Sequence, residues 1–356
     1  MKILHSADWH LDSPLQGYSD SQKAMLRQGL LAVPGKVAEL CRRESCQMML
    51  LAGDLFDGAY SRESYRAVYR ALEEVQVPVF VAPGNHDYMG MRSPWEQEIW
   101  PDNVYIFSRQ QVESVAVPEL DCRVYGAGFT GMDCTALLEN FRLQGQETYH
   151  LGVFHGDPAA SNSPYNPVST LQVQQSGLSY LALGHIHKAG SFRAADTLCA
   201  WPGCPMGRGF DETGEKGVLI AEIGQHTLTR FVPLNLPEFW SMQAEAGENP
   251  QDTLQKILPS VGNENFYRIT LLGECGKVDI PALMEAFGEF PNLQLRDETR
   301  EPLDIWKNAG QDSFEGIYFG LLQKALEEAD PEEKETILLA ARISRQILEG
   351  QEVKLP

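Results

Sequence analysis

Five short polar clusters, each at the end of an apolar run, constrain this chain more than any other feature. They are Asp8-Trp9-His10, Gly53-Asp54, Gly84-Asn85-His86-Asp87, His155-Gly156-Asp157 and Gly184-His185-Ile186-His187. A short, wholly apolar run that ends in Gly and a polar side chain reads as a buried strand opening into a loop. Strands buried on both faces need a sheet covered on both faces. A stable fold has no need of carboxylates and imidazoles at the mouths of so many buried strands, whereas a metal site does.

The order of elements narrows the architecture. Residues 2–8 read as a strand, and Leu26, Leu30, Val33, Val37 and Leu40 then recur at helical spacing, with Pro34 expected to kink or split that helix. Residues 47–52 form a strand, Tyr65, Val68, Leu72 and Val75 mark a second helix, and residues 77–82 form the next strand. Such β-α-β-α-β order implies parallel strands with helices packed on the sheet. Later strands are expected at 122–127, 149–154, 179–183, 197–201, 217–223 and 227–233, with few helices between them, so a second sheet packed on the first is expected. The stretch 158–175, rich in Ser, Asn and Pro, reads as a loop near the site.

A boundary falls near 233–248, giving an expected division into residues 1–236, a small α/β unit at 237–305 and a helical segment at 306–356. Within the second, 266–272 reads as a strand, 280–287 as a helix and 292–296 as a strand. The tail reads as two helices. One carries Phe314, Ile317, Leu321 and Ala325 on a stripe. The other starts at Asp330-Pro331-Glu332-Glu333 and carries Ile337, Ala340, Ile343 and Ile347.

Composition excludes several classes. No run approaches the roughly 18 apolar residues of a membrane span, and the N-terminus is too short and polar for a secretory signal. The seven cysteines (Cys41, Cys46, Cys122, Cys134, Cys199, Cys204 and Cys275) include no Cys-x-x-Cys and read as reduced, structural thiols of a cytoplasmic protein. A net charge of −20, densest in the C-terminal third, disfavours unaided duplex binding, because neutralising phosphates takes clustered Lys and Arg.

Asp8 and His10 lie two residues apart at a strand end, Asp54 ends the second strand, Asn85 offers an amide oxygen at the third, and His155, His185 and His187 supply imidazoles. Carboxylate and imidazole donors suit Mn²⁺, Fe²⁺ or Zn²⁺, and these seven ligands divide between two ions that share Asp54. Two such ions about 3.5–4 Å apart activate water and clamp a phosphate for in-line attack. His86 is then left free to stabilise charge or protonate a leaving oxygen, with Asp87 expected to orient it. Taken singly, Asp-x-His and Gly-Asp are ordinary turn sequences. Five clusters in this order are not.

The series DWH, GDLFD, GNHD, FHGD and GHIH resembles the calcineurin-like metallophosphoesterases. HSADWHLDSPL, LLAGDLFD and WPGCPMGRGFDETGEKGV are similar, more particularly, to SbcD/YhaO-type DNA-repair exonuclease subunits. The resemblance implies a four-layer αββα sandwich, two Mn²⁺ ions and phosphodiester cleavage. Carried over by motif, Asp8, His10, Asp54 and His187 hold one ion, Asp54, Asn85, His155 and His185 the other, and His86 is the catalytic histidine. It also implies DNA as substrate, a small capping domain, a C-terminal helical segment that docks on an SbcC-type coiled-coil ATPase, and a homodimer. Two other readings remain open: a phosphodiesterase for a small molecule or nucleotide, which the acidic surface favours, and a non-catalytic metal-bound scaffold, against which His86 argues.

Overall fold

The computed structural model describes residues 1–350 and Val353. In chain order the elements are β1 (Lys2–Ser6), α1 (Asp20–Arg43), β2 (Met48–Leu51), α2 (Arg62–Val75), β3 (Val79–Val81), α3 (Pro94–Gln97), β4 (Val104–Ile106), β5 (Glu113–Val117), β6 (Cys122–Gly126), β7 (Tyr149–His155), α4 (Thr170–Ser176) and β8 (Tyr180–Gly184). There follow β9 (Gly190–Ala194), β10 (Thr197–Trp201), β11 (Gly217–Glu222), β12 (Leu228–Pro233), β13 (Phe239–Glu245), α5 (Pro250–Ile257), β14 (Phe266–Leu272), α6 (Ile280–Ala286), β15 (Leu293–Asp297), α7 (Phe314–Glu328) and α8 (Pro331–Leu348).

Two six-stranded sheets dominate, ordered β12-β11-β1-β2-β3-β4 and β5-β6-β7-β8-β10-β9. Strands β1 to β4 pair in parallel, as do β6-β7-β8-β10, and antiparallel strands close the edges. Strand period 2 sorts the side chains cleanly. Ile3, Met48 and Leu50 face inward with Val124, Leu151, Val153 and Ala182, forming the layer between the sheets. Their neighbours Leu4, Met49 and Leu51 face outward onto Leu30, Val33, Val37, Val68 and Leu72 of α1 and α2. The outer face of the second sheet is covered by Leu138, Phe141, Val173 and Leu178. The expected αββα layering therefore holds, with a fourth layer made of one short helix and loop segments.

Local signals set the helix ends. Reciprocal Ser-x-x-Gln capping boxes start α1 at Ser19 and α4 at Ser169, and Asp12 Oδ2 accepts the Ser61 N–H at the start of α2 (2.8 Å). Pro34 does not split α1: the helix runs unbroken from Asp20 to Arg43, with Pro34 buried on its packing face. Proline removes one backbone hydrogen bond at about 3 kcal/mol or more, and the stripe of Leu30, Val33, Val37 and Leu40, all 2% exposed or less, offsets that cost. The segment read as a loop at 158–175 is irregular only as far as Ser169, since Thr170–Ser176 is helical. Strands β5 and β9, which the sequence did not signal, are sheet edges with partly exposed, mixed residues.

The chain divides into two compact units, Met1–Ser241 with Glu264–Phe266, and Met242–Asn263 with Tyr267 onward. In the second, β14 and β15 pair in parallel around Ile269, Leu271 and Leu293, with Leu283 of α6 buried beside them. Helices α7 and α8 form a hairpin in which Asp330 caps α8 through the Glu332 and Glu333 N–H groups (3.0 Å each). Its buried centre is Phe319, over which the Arg345 guanidinium lies at 3.9 Å while donating to Glu315 and to the carbonyls of Ile305 and Lys307. The stripe read from the sequence faces the other way, with Phe314, Ile317 and Leu321 at 83%, 55% and 64% exposure. The last part of the expected 306–356 segment, residues 351–352 and 354–356, lies outside the described residues.

Candidate metal centre

All five polar clusters follow strands of the parallel runs, at the C-terminal ends where α/β sheets place their ligands. The loops after β1 and β2 continue their ladder beyond the sheet: Asp8 N–H donates to Gly53 O and His10 N–H to Asp54 O, both at 3.0 Å, and Asp57 N–H to Leu11 O at 2.9 Å. The price of this convergence is backbone strain. Asp8, His10, Asp54 and His185 have φ of 55°, 46°, 52° and 95°, a region non-glycine residues enter where the surroundings over-determine them. Gly84 is a glycine for a related reason, since a Cβ there would overlap the Asp54 carboxylate.

The donors meet in a buried knot. Asp8, His10, Asp54, Asn85 and His155 are at most 4% exposed. Three sets have donor atoms all within 4.8 Å of one another: Asp8, His10 and His187; Asp8, Asp54 and His155; and His10, Asp54 and His86. The Nε2 atoms of His10 and His187 are 3.1 Å apart, and His155 Nε2 lies 2.9 Å from Asn85 Oδ1 and 3.3 Å from Asp54 Oδ2. His185 joins through its ring, 5.2 Å from that of His155, and through its backbone N–H, which donates to both oxygens of Asp8 (2.9 and 3.1 Å). The loop after β7 supports this side: Tyr165 packs its ring 4.8 Å from His185, and the buried Asn166 side chain donates to His155 O (2.9 Å).

Carboxylates that the sequence reading did not assign hold the histidines from behind. Glu212 meets His187 Nδ1 at 2.6 Å, and Arg208 grips Glu212 through Nη2 (2.6 Å) and through its backbone N–H (2.7 Å). Asp57 meets His86 Nδ1 at 2.6 Å. The expectation that Asp87 orients His86 is therefore corrected. The Asp87 carboxylate, 2% exposed, is occupied by the backbone N–H groups of Gly84 (2.8 Å), Leu55 (2.9 Å) and Asp54 (3.2 Å), so it fastens the loop after β2 to the loop after β3. Asp57 sits in the same GDLFD run as Asp54, and Glu212 stands four residues after Arg208. Those spacings were the available signals.

Electrostatics follow from burial. Burial opposes charge on His155, but the Asp54 carboxylate against it, by charge and by hydrogen bond, raises its pKa to about 9. Burial likewise disfavours the charge on Asp54, and His155 together with His10 holds it well below the usual carboxylate range. Burial, with the negative Asp54 nearby, lifts Asp87 to about 6. The Asp57 hydrogen bond raises His86 above the ordinary histidine value against a smaller effect of burial.

A family model described as calcineurin-like phosphoesterase matches residues 1–189, which take in all five clusters. The chain belongs to that family. It is 31% identical over 330 residues to the uncharacterized metallophosphoesterase YhaO of Bacillus subtilis, covering 86% of this chain and 80% of the relative. It is 22% identical over 387 residues to the D component of the SbcCD nuclease of Staphylococcus epidermidis, covering 95% and 98%. Among solved structures, a dimetal phosphatase from Danio rerio aligns at 14% identity and a TM-score of 0.40, over 65% of this chain and 98% of that one.

As a metallophosphoesterase, the chain carries donors that fit divalent cations. Two buried carboxylates face imidazoles rather than Lys or Arg, two imidazole Nε2 atoms approach each other, and His10 Nδ1 is buried with no hydrogen-bond partner among the described residues. Glu212 behind His187 is the carboxylate–histidine support usual at metal ligands. His86 also reaches the cluster by distance, yet its Nδ1 is taken by Asp57 and its side chain is 41% exposed, unlike the buried donors.

Proposed function

We propose that the chain is a Mn²⁺-dependent phosphodiester hydrolase acting on DNA as a nuclease subunit. Asp8, His10, Asp54 and His187 would hold one ion, Asp54, Asn85, His155 and His185 would hold the other, and His86 would stay free of metal. The single observation that carries this reading is His86 itself: locked by Asp57 at 2.6 Å, its ring 4.8 Å from that of His10, and exposed at the rim of a buried carboxylate–imidazole knot. When bound, two divalent ions supply charge neutralisation at the phosphoryl oxygens and a more acidic water. The protein's own part is positional. Asp57 accepts the Nδ1 proton of His86 and leaves the other ring nitrogen to face substrate. The raised pKa keeps His86 protonated nearer neutral pH, as a general acid for the leaving oxygen requires. Asp87 keeps the Asp54 and Asn85 loops in register.

We further propose that the exposed stripe Phe314, Ile317 and Leu321 docks a coiled-coil ATPase of the SbcC type, that the working form is a homodimer, and that the protein acts in the cytoplasm in DNA repair. The stripe supports the first, and the name of the Staphylococcus relative gives the partner class. All seven cysteines are free and buried, which agrees with a reducing compartment. No described helix is long and apolar enough to cross a membrane. The second reading, a phosphodiesterase for a small molecule or nucleotide, is favoured by the net charge of −20. The two separate on one panel: Mn²⁺-loaded protein offered linear duplex DNA, single-stranded DNA and bis(4-nitrophenyl) phosphate. Cleavage of DNA supports the nuclease. Turnover of the small ester alone replaces it with the second reading.

A further inference from the structure

Beside His86 lies a cavity of about 640 Å³ that none of the seven donors lines. Its walls come from two loops, Gly58 and Tyr60 after β2 and His86, Tyr88, Met91 and Arg92 after β3. The second loop is held in place. Asp87 is gripped by three backbone N–H groups, Met89 N–H donates to Phe129 O (2.8 Å) and Ser93 N–H to Gly90 O (2.7 Å). Met89 is thereby turned inward, at 9% exposure, while Tyr88 and Met91 are 37% and 88% exposed. Arg92 is exposed and makes no ion pair or side-chain hydrogen bond among the described residues, in a chain of net charge −20.

On the hydrolase reading proposed for this site, we infer that the cavity is the leaving-group subsite and takes a nucleoside bearing a further phosphate. Position assigns it. His86 is the wall shared by the metal-binding knot and the cavity, its ring 4.8 Å from His10. In the step itself, the oxygen of a water-derived hydroxide bonds to phosphorus, the bond from phosphorus to the leaving oxygen breaks, and the proton on His86 passes to that oxygen. The group that leaves is the one on the His86 side. An aromatic ring and a thioether suit the face of a nucleobase, and an unpaired guanidinium suits a phosphate. A simple aryl or alkyl ester satisfies only the first.

The test compares kcat/KM, with Mn²⁺, on the dinucleotides TpT, pTpT and TpTp and on bis(4-nitrophenyl) phosphate. Whichever oxygen leaves, one of the two phosphorylated dinucleotides carries its extra phosphate on the leaving nucleoside. That one should be cut about tenfold better than TpT, the worth of one charged contact. The ratio should fall to near one in Arg92→Ala, largely return in Arg92→Lys, and stay at the wild-type value in Arg70→Ala on the exposed face of α2. A wild-type ratio near one, or a ratio that Arg92→Ala leaves intact, overturns the subsite while the hydrolase stands. Failure to cleave any of the four esters overturns the hydrolase reading, and the subsite with it.

Discussion

The Asp57 carboxylate lies 2.6 Å from His86 Nδ1, and Arg208 Nη1 stands 3.8 Å from the other Asp57 oxygen. The guanidinium that supports Glu212 behind His187 therefore also neutralises the carboxylate behind His86. One cation steadies both the His187 side and the His86 side of the site.

Asp57→Asn keeps the shape of that contact and removes its charge. It should lower kcat roughly 10- to 100-fold, the usual cost of losing a support behind a functional histidine. Mn²⁺ content by elemental analysis should stay at the wild-type level. Loss of metal together with activity would make Asp57 part of the metal site.

Glu212→Gln should act on the metal instead. Glu212 fixes the His187 ring and is held well below the ordinary carboxylate range, where burial is outweighed by His187 and Arg208. Its amide replacement should weaken Mn²⁺ binding roughly 10- to 100-fold, read by calorimetric titration, with kcat at saturating metal changed far less than in Asp57→Asn.

His5 sets a pH dependence of stability. It is fully buried between the sheets, with Nε2–H donating to Leu183 O (3.0 Å) and Nδ1 accepting from the Tyr180 hydroxyl (2.8 Å). Burial lowers its pKa from 6.5 to about 3, against a smaller opposing effect of the Leu183 bond. The unfolded chain thus takes up this proton first, and stability present above pH 6.5 is lost as pH falls toward 3, at about 1.4 kcal/mol per pH unit. The difference in unfolding free energy between wild type and His5→Gln should shrink from pH 7 to pH 4 in denaturant titrations. A pH-independent difference would show that His5 is protonated in the fold.

Charge placed on the α7 stripe should cost almost nothing in the isolated protein. Ile317→Asp and Leu321→Asp remove exposed apolar surface, so stability should change by no more than about 0.5 kcal/mol, while binding of an SbcC-type ATPase in a pull-down should be lost. A fall in Tm of several degrees would mean that the stripe packs within this chain.

What could be read from the sequence follows from what each level of structure encodes. The interior strands of both sheets announced themselves because burial on two faces leaves continuous apolar runs, as in Met48–Leu51 and Tyr180–Gly184. The seven proposed donors were legible because polar residues at the ends of such runs need a reason. Edge strands such as Gly190–Ala194, with alternating exposure and little apolar character, were not legible. Nor were the partners of the histidines: Asp57 and Glu212 sit in loops whose closure depends on tertiary packing, and Asp87, adjacent to His86 in sequence, turns to the backbone instead. The tail left two roles open for its stripe, docking a partner or packing within the chain, and spacing alone does not choose between them. Its helical stripe is real in spacing, but Phe319 and Arg345, off that stripe, fill the hairpin.

Everything proposed for this site turns on His86 taking part in the chemistry without holding metal. The decisive experiment measures Mn²⁺ bound per chain, by elemental analysis after gel filtration, alongside kcat for a phosphodiester, in wild type and His86→Ala. Two ions per chain are expected in both proteins, with kcat lower by about 10²- to 10⁴-fold in the variant. A variant that binds one ion fewer, or that keeps wild-type turnover, would contradict that role.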